Sequence, residues 1–75
     1  MTPEKTIYMA NQIARFMESK PRDEGAAGVA THINDFWEPR MRVKLLAILD
    51  AGGEGLRPLV VEAAPLIRRP DSAMA

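Results

Sequence analysis

GVATHINDFWEPRMRVKLLAILD, residues 28–50, holds the chain's only tryptophan, one of its two phenylalanines and a proline that can start a helix, all between Phe36 and Pro39. With a period of 3.6, Val29, Ile33, Phe36 and Trp37 fall on one side of a helix ending near Trp37, and Met41, Leu45, Ile48 and Leu49 on one side of the next. Pro39 pushes Glu38 out of the α region, so the first helix stops there. Its fixed φ and missing N–H suit the first position of the second. The stretch therefore predicts a helix–corner–helix with Trp37 at the corner and the rest of the chain packed on it.

Size limits what can be built outward from that corner. A chain of 75 residues is one small domain that buries only roughly 60% of its unfolded surface. Such a core yields about 3–5 kcal/mol unless a disulfide, metal or partner adds to it. With no cysteine and one histidine, disulfides are excluded and a closed zinc site lacks ligands. A partner chain is the remaining candidate. Ten basic residues balance ten acidic ones, which argues against an electrostatic nucleic-acid binder and a polybasic membrane surface. No apolar run approaches a bilayer span, and MTPEKTIYMANQ is too polar for a signal peptide core.

Thr2-Pro3-Glu4 reads as a helix start, with a cap, a proline at the first position and an acid in the first turn. The helix should run to about Ser19. Thr6, Ile7, Met9, Ala10, Ile13, Ala14, Phe16 and Met17 fill an arc of about 180°, wider than the roughly 100° stripe of a surface helix. Two readings of that width are open. The helix is wedged between two neighbours, or one edge, with Met9 and Phe16, faces another protein. Residues 20–25 form a connection, with Asp23 or Gly25 as candidate caps of the second helix. Gly28 is a place where a neighbouring backbone can come close. His32 lies on a flank, as a boundary residue making one hydrogen bond rather than a metal ligand or proton carrier.

The third helix, Pro39 to about Ala51, has more apolar residues than one stripe can use: Val43 and Leu46 lie on opposite flanks, half exposed or covered from outside. Glu38 and Arg42 are spaced to pair, and Arg40 with Lys44 makes a basic edge. Gly52, Gly53 and Gly55 suggest a phosphate loop, but no strand precedes them and no Gly-Lys-Ser/Thr follows. A glycine C-cap explains them better. Pro58 opens a fourth helix that should end near Ala64 or kink, because Pro65 removes a backbone bond. The fold class is thus all-α, a small bundle of three to four short helices over residues 1–69, with residues 70–75 a flexible tail. No nucleophile–base–orienter set, Rossmann pattern or P-loop appears, so the chain reads as no enzyme and as holding no cofactor of its own.

Three blocks, IYMANQIARF at 7–16, HINDFWEPRMR at 32–42 and AGGEGLRPLV at 51–60, together resemble the delta subunit of NAD-dependent formate dehydrogenase, over about Ile7 to Ile67. The resemblance implies a cytoplasmic complex whose other subunits hold a molybdenum or tungsten pterin, iron–sulfur clusters and a flavin (FMN). It also implies a small subunit without cofactor, serving assembly, stability or activity. No role is carried onto Arg68 or Arg69.

The partner this implies is the catalytic large subunit, met through Phe16, His32, Trp37, Arg40, Met41, Val43 and Leu46. Trp, Arg and Met are types enriched at interface cores, and Arg40 is freer than Arg42, which has Glu38. For Trp37 a purely internal role is the other reading. The rivals are a transient chaperone for cofactor insertion and a helix-turn-helix DNA binder, the latter weakened by zero net charge and by Val43 and Leu46 on its would-be recognition helix. Permanent subunit or transient helper, the docking position and self-association of the isolated chain are left open.

Overall fold

Prolines punctuate the chain, and the helices begin at them. In the computed structural model, which describes residues 2–70, α1 spans Pro3–Met17, α2 Arg22–Phe36, α3 Pro39–Asp50 and α4 Pro58–Ala63, followed by a 3₁₀ turn over Ala64–Leu66. The chain is all-α among the described residues, in agreement with the reading of the sequence; most of the predicted tail, from Asp71 on, lies outside them. Pro3, Pro39 and Pro58 each open a helix behind an extended residue, Thr2, Glu38 and Arg57. A proline there gives up no hydrogen bond, since the first-turn N–H has no partner within the helix. The Thr2 hydroxyl also accepts from the Lys5 N–H at 3.1 Å. The second helix starts earlier than Asp23 or Gly25 because Pro21, with φ −51° and ψ 149°, itself occupies the cap position.

Glycine ends α3. The Gly52 N–H donates to the Leu49 carbonyl at 3.1 Å and the Gly53 N–H to the Ile48 carbonyl at 2.9 Å. This is the paired closure of a Schellman motif, with Gly52 at φ +119° where a side chain would be strained. Pro65 acts as anticipated: α4 stops at Ala63 and the chain continues as a 3₁₀ turn.

Helix α2 packs chiefly on α4, and α1 packs on α2 and α3. Ile33, Leu45, Val29 and Val60 are the large apolar side chains wholly buried where these helices meet. Trp37 joins them at 6% exposure, but it is one wall of the core rather than its centre. It leaves the helical period as the extended cap of α2, with φ −87° and ψ 136°, and so turns inward. Phe36, assigned to the same inner side by periodicity, is left outside at 74% exposure. Leu46 also departs from expectation: it is 3% exposed and part of the core cluster, whereas Val43 is 50% exposed. In α3 the buried pair is Leu45 and Leu46, with Met41, Ile48 and Leu49 half-buried.

Close approach between α1 and α2 occurs at two glycines. A Cβ on Gly25 would stand 2.9 Å from the Met17 carbonyl oxygen and 3.1 Å from a Leu59 methyl. At Gly28 the neighbour is not backbone, as anticipated, but the Met17 thioether, whose sulfur would be 2.8 Å from a Cβ. Two asparagines then tie down the segments around α4. Asn11 Nδ2 donates to the Gly55 carbonyl at 3.0 Å while its Oδ1 accepts from the Arg57 N–H at 2.8 Å. Asn34 repeats the device with the Leu66 carbonyl at 3.1 Å and the Arg68 N–H at 2.8 Å.

Candidate functional site

Of the chain's four aromatic side chains, two Phe, one Tyr and one Trp, only Trp37 is inside. Tyr8, Phe16 and Phe36 are 63%, 73% and 74% exposed. Each could be an ordinary surface residue alone, but His32 joins Phe16, with which it lines a cleft, to Phe36, whose ring it meets. Tyr8, Gln12 and Phe16 follow at i, i+4 and i+8 along α1, and the Gln12 amide donates to the Tyr8 hydroxyl at 2.8 Å. On α2 the matching row is Gly28, His32 and Phe36, with the His32 and Phe36 rings 4.8 Å apart and tilted by 38°. A cleft of about 280 Å³ joins the rows, lined by Gln12, Ile13, Phe16, Met17 and His32.

The residues singled out from the sequence therefore separate. Phe16 and His32 meet in this cleft. Arg40 and Val43 are exposed on α3, Met41 is half-buried against the core, and Trp37 and Leu46 are inside. Tyr8 and Phe36 are exposed as well: Tyr8 is absent from the apolar arc read along α1, and periodicity places Phe36 on the core side. The signal that could have found Tyr8 is its spacing of four and eight from Gln12 and Phe16. His32 makes an aromatic contact, not the single hydrogen bond anticipated.

Arg42 does not pair with Glu38. Its Nη1 donates to the Trp37 carbonyl at 2.9 Å and its Nε to the Arg68 carbonyl at 3.0 Å. The carbonyls at the end of α2 lack helical partners, and a guanidinium within reach satisfies one of them. Arg42 is thus a fastener between the corner and the chain after the 3₁₀ turn. Arg68, given no role from the sequence, also donates to the Asn34 carbonyl at 3.3 Å.

Ion pairs among the described residues are Arg22–Glu62, Arg57–Glu18 and Arg69–Asp50, the last two at 2.6 and 2.7 Å. Hydrogen bonds from Arg57 hold the Glu18 carboxyl below its ordinary range, and Arg69 does the same to Asp50. All three join segments distant in sequence, so they read as ties between helices rather than as reactive groups. Among the described residues no group of three or more His, Cys, Asp or Glu stands where it could hold a metal ion. No described helix is long and apolar enough to cross a membrane.

With that geometry in place, the chain can be compared with known protein families. The family model described as NADH-dependent formate dehydrogenase delta subunit FdsD matches residues 5–64. No curated protein matches the chain. The matched span contains both rows of the aromatic face and the corner at Trp37.

Proposed function

The chain belongs to the family of NADH-dependent formate dehydrogenase delta subunits, and on that premise we propose that it is a non-catalytic accessory subunit. It docks on the catalytic large subunit and supports the assembly, stability or activity of the complex. In this reading the complex is cytoplasmic and transfers electrons from formate to NAD. A molybdenum or tungsten pterin, iron–sulfur clusters and FMN reside in its other subunits. Among the described residues no group of three or more His, Cys, Asp or Glu stands where it could hold a metal ion, and in this reading no step of the chemistry runs through the chain.

The observation that carries the proposal is the exposure of Tyr8, Phe16 and Phe36 while the core is built largely from Ala, Val, Ile and Leu. Leaving large apolar side chains in water forgoes about 1.5–3 kcal/mol of burial each. A domain whose core yields only about 3–5 kcal/mol gains comparably by having such a face covered.

Tagging the catalytic subunit and purifying the complex from cells with and without this chain tests the reading. The chain should co-purify stoichiometrically, and complex lacking it should show reduced yield or reduced formate oxidation. Its presence during assembly but not in the active complex would mark a transient helper instead. Unchanged assembly and turnover without it would refute both roles.

A further inference from the structure

Resting on the accessory-subunit reading, we propose that the groove between α1 and α2 receives an amphipathic helix of a partner subunit, with an acidic edge turned to α1 and a basic edge turned to α2. Its apolar stripe covers Phe16, Phe36 and Ile13.

The groove has the form such an occupant needs. The two helices have 15 residues each, about 22 Å at 1.5 Å per residue, and the four-residue connection between Met17 and Arg22 makes them antiparallel neighbours. Their inner sides are used by α3 and α4. The outer side is open, and a further helix there completes a layer of the bundle, as in helix-in-groove recognition. Gly28 shapes the floor: without a side chain of its own it lets the Met17 thioether lie against α2, and thioethers adapt to an incoming apolar surface.

Charge selects the occupant. The α1 row is flanked by Lys5 and Arg15, each three residues from Tyr8 or Gln12, against one acid, Glu4, four residues before Tyr8. The α2 row is flanked by Glu24, four residues before Gly28, and Asp35, three after His32. None of these five is in an ion pair of the described residues, where Arg22, Glu62, Arg57, Glu18, Arg69 and Asp50 form the pairs. Between these edges lie phenylalanine, isoleucine, methionine and histidine. An apolar aromatic centre inside a charged rim is the anatomy of a protein interface. The competing face on α3 is weaker: its hollow is lined by Val43, Leu46 and Ala47, and the Asp50–Arg69 ion pair borders it.

The test uses the whole complex, isolated through a tagged catalytic subunit, with variants of this chain in place of wild type. Phe16→Ser combined with Phe36→Ser should lower the retained chain at least about tenfold, the loss typical of removing buried aromatic anchors, while circular dichroism of the free chain stays unchanged. Lys5→Glu with Arg15→Glu should also lower retention, more at low than at high salt. Arg40→Glu with Val43→Ser should leave retention within about twofold. Wild-type retention of the Phe16/Phe36 variant, or loss confined to the Arg40/Val43 variant, overturns the inference and leaves the accessory-subunit reading standing. So does a homodimer of the free chain that the Phe16/Phe36 variant abolishes while retention in the complex is kept. A wild-type chain that never co-purifies removes the reading and the inference together.

Discussion

Asn11 holds Arg57 across 46 residues of sequence: its Oδ1 accepts the Arg57 N–H at 2.8 Å, just where α4 begins. That N–H precedes Pro58 and has no acceptor within its own helix. The same amide donates to the Gly55 carbonyl at 3.0 Å, so one side chain on α1 ties down both sides of Leu56 at the end of the glycine-rich loop. Arg57 returns the contact by reaching Glu18 at the end of α1 with two hydrogen bonds, at 2.6 and 2.9 Å.

Removing that hold has a graded outcome. Asn11→Ala loses both bonds and should cost about 1–2 kcal/mol at roughly 1 kcal/mol each, lowering Tm by about 5–15 °C in a domain of this size. Asn11→Asp keeps the acceptor for Arg57 and loses the donor to Gly55, so it should fall between Ala and wild type. Thermal unfolding followed by circular dichroism reads the order; an Asp variant no better than Ala would sink this account.

The two glycines of α2 should respond oppositely to alanine. In a helix alanine gains up to about 1 kcal/mol over glycine. At Gly25 the new methyl meets the Met17 carbonyl, which is backbone, and a Leu59 methyl, so Gly25→Ala should destabilise by about 1–2 kcal/mol as overpacking does. At Gly28 it meets the end of a flexible methionine, so Gly28→Ala should be within about 0.5 kcal/mol of wild type. Urea midpoints of the two variants, compared at equal m-value, check the contrast.

Much of this was legible beforehand, and the misses share a cause. Pro3, Pro39, Pro58 and Pro65 act through fixed φ and a missing donor, which are local properties, so helix starts and the break after α4 followed from sequence. The glycines after α3 were legible for the same reason. Asn11, Asn34 and Arg42 were not, because their partners are the carbonyls and N–H groups of distant segments, and backbone acceptors carry no sequence signature. Leu46 and Phe36 were misplaced by counting at 100° per residue without knowing on which flank the neighbouring helix lies. Phe16 and His32, both singled out by sequence, line one cleft, while Tyr8 is masked by the polar residues around it.

Acid should weaken the domain through two carboxylates. Glu18 and Asp50 have folded pKa values held down by Arg57 and Arg69, so each stays ionised further into acid in the folded state than in the unfolded chain. A depressed folded value means the stabilisation is fully present above the unfolded values of about 4.3 for Glu and 3.9 for Asp. It is lost as the pH falls below them through the folded values. Glu18→Gln with Asp50→Asn should therefore lower Tm at pH 7 and flatten its fall between about pH 5 and pH 2. A variant whose acid limb paralleled wild type would rule out these pairs as the cause.

Two aromatic neighbours provide the sharpest test of the corner. Trp37 at 6% exposure and Phe36 at 74% differ by one position, yet they should behave as a core and a surface residue. Trp37→Ala removes a buried indole from beside the core, a change that costs about 3–5 kcal/mol, as much as a domain of this size can be expected to have. The isolated variant should therefore lose most of its helical signal at 25 °C. Its failure to enter a complex would then report unfolding rather than a lost contact, which makes it a poor probe of docking. Phe36→Ala removes an exposed ring whose contact is the His32 imidazole, so it should change stability by no more than about 0.5 kcal/mol while baring less apolar surface. Circular dichroism of both variants, with urea melts where a folded baseline exists, decides the matter. If Phe36→Ala unfolds the chain and Trp37→Ala does not, the inward and outward assignments at the corner are reversed, and the aromatic face of α1 and α2 loses its second anchor.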